Sequence, residues 1–326
     1  MSVRGLAVAL FAGLLFAPAA SAHGGATADP DRWWTAWNAS PWQAAPVGIA
    51  LVLYVVRARK LGSRLPAWRA VCFLLGLAVA FLAIVSPIDA IGEEALFSMH
   101  MLQHILLGDL APLLMVLGAT GPILRPVLAL RWVQRLQILM HPVVALAIWV
   151  VLFLGWHLPA FYEAAIRNDL VHALEHVSFF TAGALMWGSL IETLPQPEWF
   201  STGMKLGYVG AVRIVQTILG NIIWWSGAVL YPIYSDNAAA WGTTAIQDQA
   251  LAGTIMMSYT GLVTLGVITI LFFRMARESE LRQRLIEAGV DQKAARRAVR
   301  FGRAEELASR HGVELPEAHL RAPGIS

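Results

Sequence analysis

Seven long apolar runs divide the chain, with approximate limits 42–57, 68–86, 95–118, 142–160, 170–191, 205–231 and 250–274. An apolar helix crosses the hydrocarbon core of a bilayer in about 20 residues, and no run shows the strict alternation of a barrel strand. In lipid every backbone N–H and C=O must be satisfied internally, which leaves helices as the way for such runs to span. The expected fold is all-α: a polytopic membrane helix bundle of about seven transmembrane helices. Composition agrees, because 14% of residues are charged, against about 25% in soluble domains. The formal charge of +3 collects in loops and the tail, a distribution that sets topology and does not suit nucleic-acid binding.

Loop charge predicts the orientation. Arg57, Arg59, Lys60, Arg64 and Arg69 fall between the first two runs, and Arg125, Arg131 and Arg135 between the third and fourth. Arg274, Arg277 and a basic tail follow the seventh. These alternate connections are expected on the cytoplasmic side. The loop Ser86–Glu94 carries Asp89, Glu93 and Glu94 without a basic residue, and is expected outside. The N-terminus is then outside and the C-terminus cytoplasmic, in the cell (inner) membrane.

Residues 1–22 read as a cleaved secretory signal: Arg4, the apolar Leu6 to Phe16, then Ala20-Ser21-Ala22. An uncleaved first anchor is the alternative. Residues 23–41 form an extracytoplasmic segment in which Trp33, Trp34 and Trp37, with Trp42, make an interfacial belt. The membrane domain covers 42–274. Residues 275–326 form a charged cytoplasmic tail with helices expected over Glu278–Glu287 and Gln292–Arg310, and a basic side suited to anionic lipid. The single cysteine, Cys72, excludes an internal disulfide and any Cys-x-x-Cys site.

The topology gives the histidines meaning. His100 and His104 are four apart near the outer end of the third run, and His172 and His176 near the outer end of the fifth. His157 ends the fourth run on the same side. Positions i and i+4 share one helix face, so each pair converges. Intramembrane histidines are costly and mark functional paths. These five imidazoles are therefore the candidate metal ligands. Imidazole suits copper, zinc, iron and nickel, while thioether sulfur favours cuprous copper. Met99, Met101, Met256 and Met257 lie at comparable depth, though gap-filling in a helical core explains them equally. His23, which cleavage would leave at the N-terminus, is a possible further ligand or simply linker. Glu94, Glu163 and Asp248 are candidates to orient an imidazole. Glu175 is the poorer one, being turned about 100° from His176. Asp109 and Arg213 are expected to pair deeper in the membrane, and Asn221 to bond between helices. His141, His311 and His319 are set aside.

At these residues the chain resembles a known family. Phe97-Ser98-Met99-His100-Met101-Leu102-Gln103-His104 with Ala111-Pro112 resembles the third-span motif of the CtaG family, the caa(3)-type cytochrome c oxidase assembly factors. Trp156-His157-Leu158-Pro159-Ala160-Phe161-Tyr162, His172-Ala173-Leu174-Glu175-His176 and Gln247-Asp248-Gln249-Ala250-Leu251-Ala252-Gly253 are similar to its later motifs, in the same order. Asp109 departs from a usually apolar position, and Met257-Ser258 from a usual Met-Trp. The resemblance implies a seven-helix membrane protein that matures a haem-copper oxidase by supplying copper to its catalytic subunit. The leading reading of the residues is a chaperone-like copper binder, not an enzyme, with a periplasmic copper donor as a further expected partner. His100, His104, His157, His172, His176 and Asp248 would be its functional set. Two other functions use the same histidines: a haem-binding redox protein, and a copper transporter.

Overall fold

The computed structural model describes residues 28–38, 41–119 and 121–312. The expected signal peptide, His23 and His319 lie outside them. Among the described residues every regular element is a helix.

In chain order, α1 is Pro41–Leu61, α2 Ala67–Val85 and the short α3 Pro87–Glu94. α4 (Phe97–Ile105) passes through a π-helical turn, Leu106–Leu110, into α5 (Ala111–Gly118). α6 (Gly121–Leu128) and α7 (Arg131–Leu136) lead to α8 (Pro142–Trp156), α9 (Pro159–Arg167) and α10 (Asp169–Ile191). α11 (Thr202–Trp225) and α12 (Ala245–Glu287) follow, then α13 (Gln292–Arg300) and α14 (Ala304–Arg310).

A helix coincides with each of the seven apolar runs. Four stretches are long and apolar enough to cross a membrane: Ala67–Val85, Phe97–Gly118, Thr202–Trp225 and Ala245–Glu287. A fifth qualifies if Arg131–Met140 and Pro142–Trp156, bent by 77°, form one span. α1 carries Arg57, Arg59 and Lys60, and α10 carries Asp169 and Glu175. Apolar side chains such as Val52, Leu75, Val151, Ile218 and Leu265 are exposed on these helices, as expected of surfaces that face hydrocarbon.

The tail departs from expectation in detail. α12 runs without a break past the expected membrane limit at 274 to Glu287, and the helix expected over Gln292–Arg310 is two. Gly302 separates them at φ +66°, a left-handed conformation that a side chain disfavours.

The chain divides into two compact units. The first comprises the residues through Gln196 together with Ile214–Tyr259; the second comprises Pro197–Arg213 and the chain from Thr260 onward. In the first, α2 packs on α5, α8 and α9 on α10, and α10 on the π turn and α5. Small residues permit the closest of these approaches. A Cβ on Gly183 of α10 would collide with the carbonyl oxygen of Gly108 in the π turn, so the two histidine-bearing helices meet through glycine. In the second unit, Leu285, Val290, Ala295, Ala304 and Ala308 form a small core shared by the end of α12, α13 and α14.

Candidate metal centre

The helix that carries His100 and His104 is anchored from a distant part of the chain. Leu96, at its N-cap, offers no side-chain acceptor. Asp248 of α12 takes that place: its carboxylate accepts the Phe97 N–H at 2.7 Å and the Ser98 N–H at 3.3 Å, and also the Ser98 hydroxyl. These are the first orphan donors of α4, and a carboxylate there also meets the positive end of the helix dipole. Asp248 was expected to orient an imidazole. Instead it orients the whole histidine helix, because its oxygens are consumed by backbone N–H groups.

α10 begins with a local cap, Asn168 accepting from Leu170 and Val171 N–H. His172 and His176 face α4. The imidazoles gather closely: ring centres are 4.2 Å apart for His100 and His104, 4.1 Å for His172 and His176, 5.4 Å for His100 and His172, and 5.6 Å for His104 and His176. His157 caps the C-terminus of α8, bonded through Nδ1 to the Phe153 carbonyl at 2.6 Å. Its ring stands against Phe179, which also touches the His104 ring.

Glu175 corrects the expectation made for it. Its Oε2 lies 3.8 Å from His100 Nε2, 3.6 Å from His104 Nε2 and 4.0 Å from His172 Nε2, and its side chain is fully buried. A turn of about 100° separates it from His176, but His176 is not its only histidine neighbour on α10. Glu175 is also i+3 from His172, so it shares the inward face on the opposite flank.

These separations are too long for hydrogen bonds. They approach what two ligands of one ion show: bonds of ~2.0–2.1 Å at tetrahedral or trigonal angles put donors roughly 3.3–3.6 Å apart. The Nε2 atoms of all five histidines and both Glu175 oxygens are buried without a hydrogen-bond partner. A buried polar group left unsatisfied costs about 1–3 kcal/mol. A cation among them would satisfy most at once, so the donor set fits a metal. Two groups have ligand atoms close enough to share an ion: His100, His172 and Glu175, and His104, Glu175 and His176.

The surrounding shell was largely missed by sequence reasoning. Glu93 accepts from His172 Nδ1 at 2.7 Å, which turns the Nε2 lone pair toward the cluster. Asp89 accepts from Gln103, whose amide also donates to the Ala83 carbonyl at 3.0 Å. Burial and the neighbouring Glu93 charge push the Asp89 carboxyl up to about 8. Tyr234 Oη donates to the Gly92 carbonyl at 2.8 Å and meets Tyr162 Oη at 2.7 Å, while Tyr231 Oη donates to the His157 carbonyl at 2.7 Å. A cavity of about 360 Å³ borders His172 and His176, with Asp89, Glu93 and Asp169 among its polar lining.

The other candidates have separate roles. Met101 and Met256 are buried in an apolar cluster with Phe97, Tyr162 and Tyr231. Met257 packs against Gly220 and Met99 is half-buried. Glu94 accepts the Ala28 N–H at 2.9 Å, and Glu163 pairs with Arg167 at 3.4 Å. Asp109 accepts from the Trp187 indole and Arg213 donates to Thr260. Asn221 donates to the Thr217 carbonyl of its own helix at 2.8 Å, not across helices.

Comparison with known proteins bears on this geometry. Residues 49–278, which include every histidine of the cluster, match the family described as cytochrome c oxidase caa3 assembly factor (Caa3_CtaG). Uncharacterized proteins of Mycobacterium bovis and Mycobacterium tuberculosis are each 27% identical over 239 residues, 68% of this chain and 36% of their own length. An uncharacterized protein of Mycobacterium leprae is 26% identical over 273 residues, 76% of this chain and 40% of its own. The chain thus spans well under half the length of these relatives. No solved structure matches it. With the family match covering most of the chain and the cluster within it, this protein belongs to the caa3-type cytochrome c oxidase assembly factor family, CtaG.

Proposed function

We propose that this chain is a seven-span protein of the inner cell membrane that binds copper in its histidine cluster and passes it to the catalytic subunit of a haem-copper oxidase. The N-terminus lies outside and the C-terminus in the cytoplasm. The observation that carries the reading is the approach of the buried His100, His104 and His172 Nε2 atoms to the Glu175 carboxylate, with the His176 ring 5.6 Å from that of His104. Copper is the ion because imidazole binds it well and because the family serves an oxidase that contains it. His100, His104, His157, His172 and His176 supply the ligands. Met99, Met101, Met256 and Met257 are not required in this reading, and the role proposed for Asp248 is to hold α4.

The protein's work in this reading is holding and exchange, not catalysis. Ion transfer by ligand substitution needs an approach from one side. The cavity beside His172 and His176 offers one, through which a periplasmic donor would load the site. Ring separations of 4.1–5.6 Å around a central carboxylate suit a compact ion and leave no plane for a porphyrin, which disfavours the haem alternative.

The test is a titration of the detergent-purified protein with cuprous ion against a competing chelator. Tight binding is expected, and joint replacement His100→Ala and His104→Ala should weaken it sharply. Equal affinity in that variant would end the proposal. In cells, loss of the protein should leave the oxidase subunit synthesised but poor in copper.

A further inference from the structure

The donors divide into two levels. His100, His172 and Glu175 make one group and His104, Glu175 and His176 the other, and within each the ligand atoms lie within 4.8 Å of one another. The division follows from helix geometry. One turn, a rise of about 6 Å, separates the two histidines of α4 and likewise those of α10. Glu175 precedes His176 directly and follows His172 by three positions, so its carboxylate lies within reach of both levels.

We propose that the cluster holds two cuprous ions at once, one on each level, with the Glu175 carboxylate shared between them. This rests on the copper reading above and adds the number and arrangement of the ions. Ligand count is the first argument. A single tetrahedral ion takes four donors, which would strand part of a buried set of five imidazoles and a carboxylate. Two three-coordinate ions employ His100 and His172, His104 and His176, and the Glu175 carboxylate, whose Oε2 faces His100, His104 and His172. His157 belongs to neither group. Charge is the second. Two monovalent cations are balanced by two carboxylates, Glu175 between them and Glu93 behind His172. A buried charge without such balance costs several kcal/mol. Access is the third. The cavity borders His172 of one level and His176 of the other, so both ions exchange through the same opening.

The experiment loads the full chain in detergent with excess cuprous ion under reducing conditions, removes weakly held metal with bathocuproine disulfonate, and measures copper per chain by elemental analysis. Two coppers are expected in the wild type. One is expected in the His100→Ala/His172→Ala variant and one in His104→Ala/His176→Ala. One copper per wild-type chain at saturation overturns the two-ion arrangement and leaves the copper reading standing; no copper overturns both. The wild-type count needs no variant, so a misfolded mutant does not decide it. For Glu175→Gln, both coppers should leave together at a chelator concentration the wild type withstands. Loss of one alone overturns the sharing of the carboxylate.

Discussion

Glu93 and Asp89 set the electrostatics around His172. The Glu93 carboxylate accepts the Nδ1 proton at 2.7 Å, and carboxylates behind a ligating imidazole typically tune affinity without touching the metal. Glu93→Ala should therefore lower copper affinity by about 10–100-fold while copper per chain stays constant, read by chelator competition and elemental analysis. Asp89 makes a separate prediction. Its carboxyl sits at about 8 in the folded protein against 3.8 for the free group, so the folded state binds its proton more tightly than the unfolded state. Stability from this residue is then fully present below about 4 and is lost as pH rises through about 8. The thermal midpoint in detergent should fall between pH 5 and 8, and Asp89→Asn should flatten that slope. An unchanged slope would show that Asp89 is not its source.

Two long-range contacts decide where the histidine helices lie. Asp248 caps α4 from 151 residues away in sequence. Asp248→Ala frees the Phe97 and Ser98 N–H groups, and a lost cap costs about 0.5–2 kcal/mol. A lower thermal midpoint is expected, with weaker copper binding because His100 lies in the first turn of the frayed helix. Gly183 fixes the distance between α10 and the π turn after α4. Gly183→Ala places a methyl group against the Gly108 carbonyl, and overpacking of this kind costs typically 1–3 kcal/mol or more. This variant should lose stability and copper affinity together, although neither glycine is a ligand. A π turn at this contact accords with the tendency of such bulges to sit at functional sites.

All proposed ligands lie in the first compact unit, while α13 and α14 belong to the second. A chain ending after Glu287 should keep its copper stoichiometry and affinity, and a change in either would tie the tail to the site. What was legible in the residues and what was not divides along physical lines. Apolar run length, loop charge and four-residue histidine spacing are local quantities that depend on helical rise and turn. From them alone follow the helices at all seven runs and the two histidine pairs that face one another across α4 and α10. Glu175 is less legible because its offset of about 100° from His176 points it away from that ring, while its i+3 relation to His172 brings it back to the inward face. The Glu93 contact to His172, the Asp248 cap and the tyrosine bonds to Gly92 and His157 link segments far apart in the chain. Sequence spacing carries no information about which loop end folds over which helix; close packing of the bundle, through contacts as small as one missing Cβ, determines it.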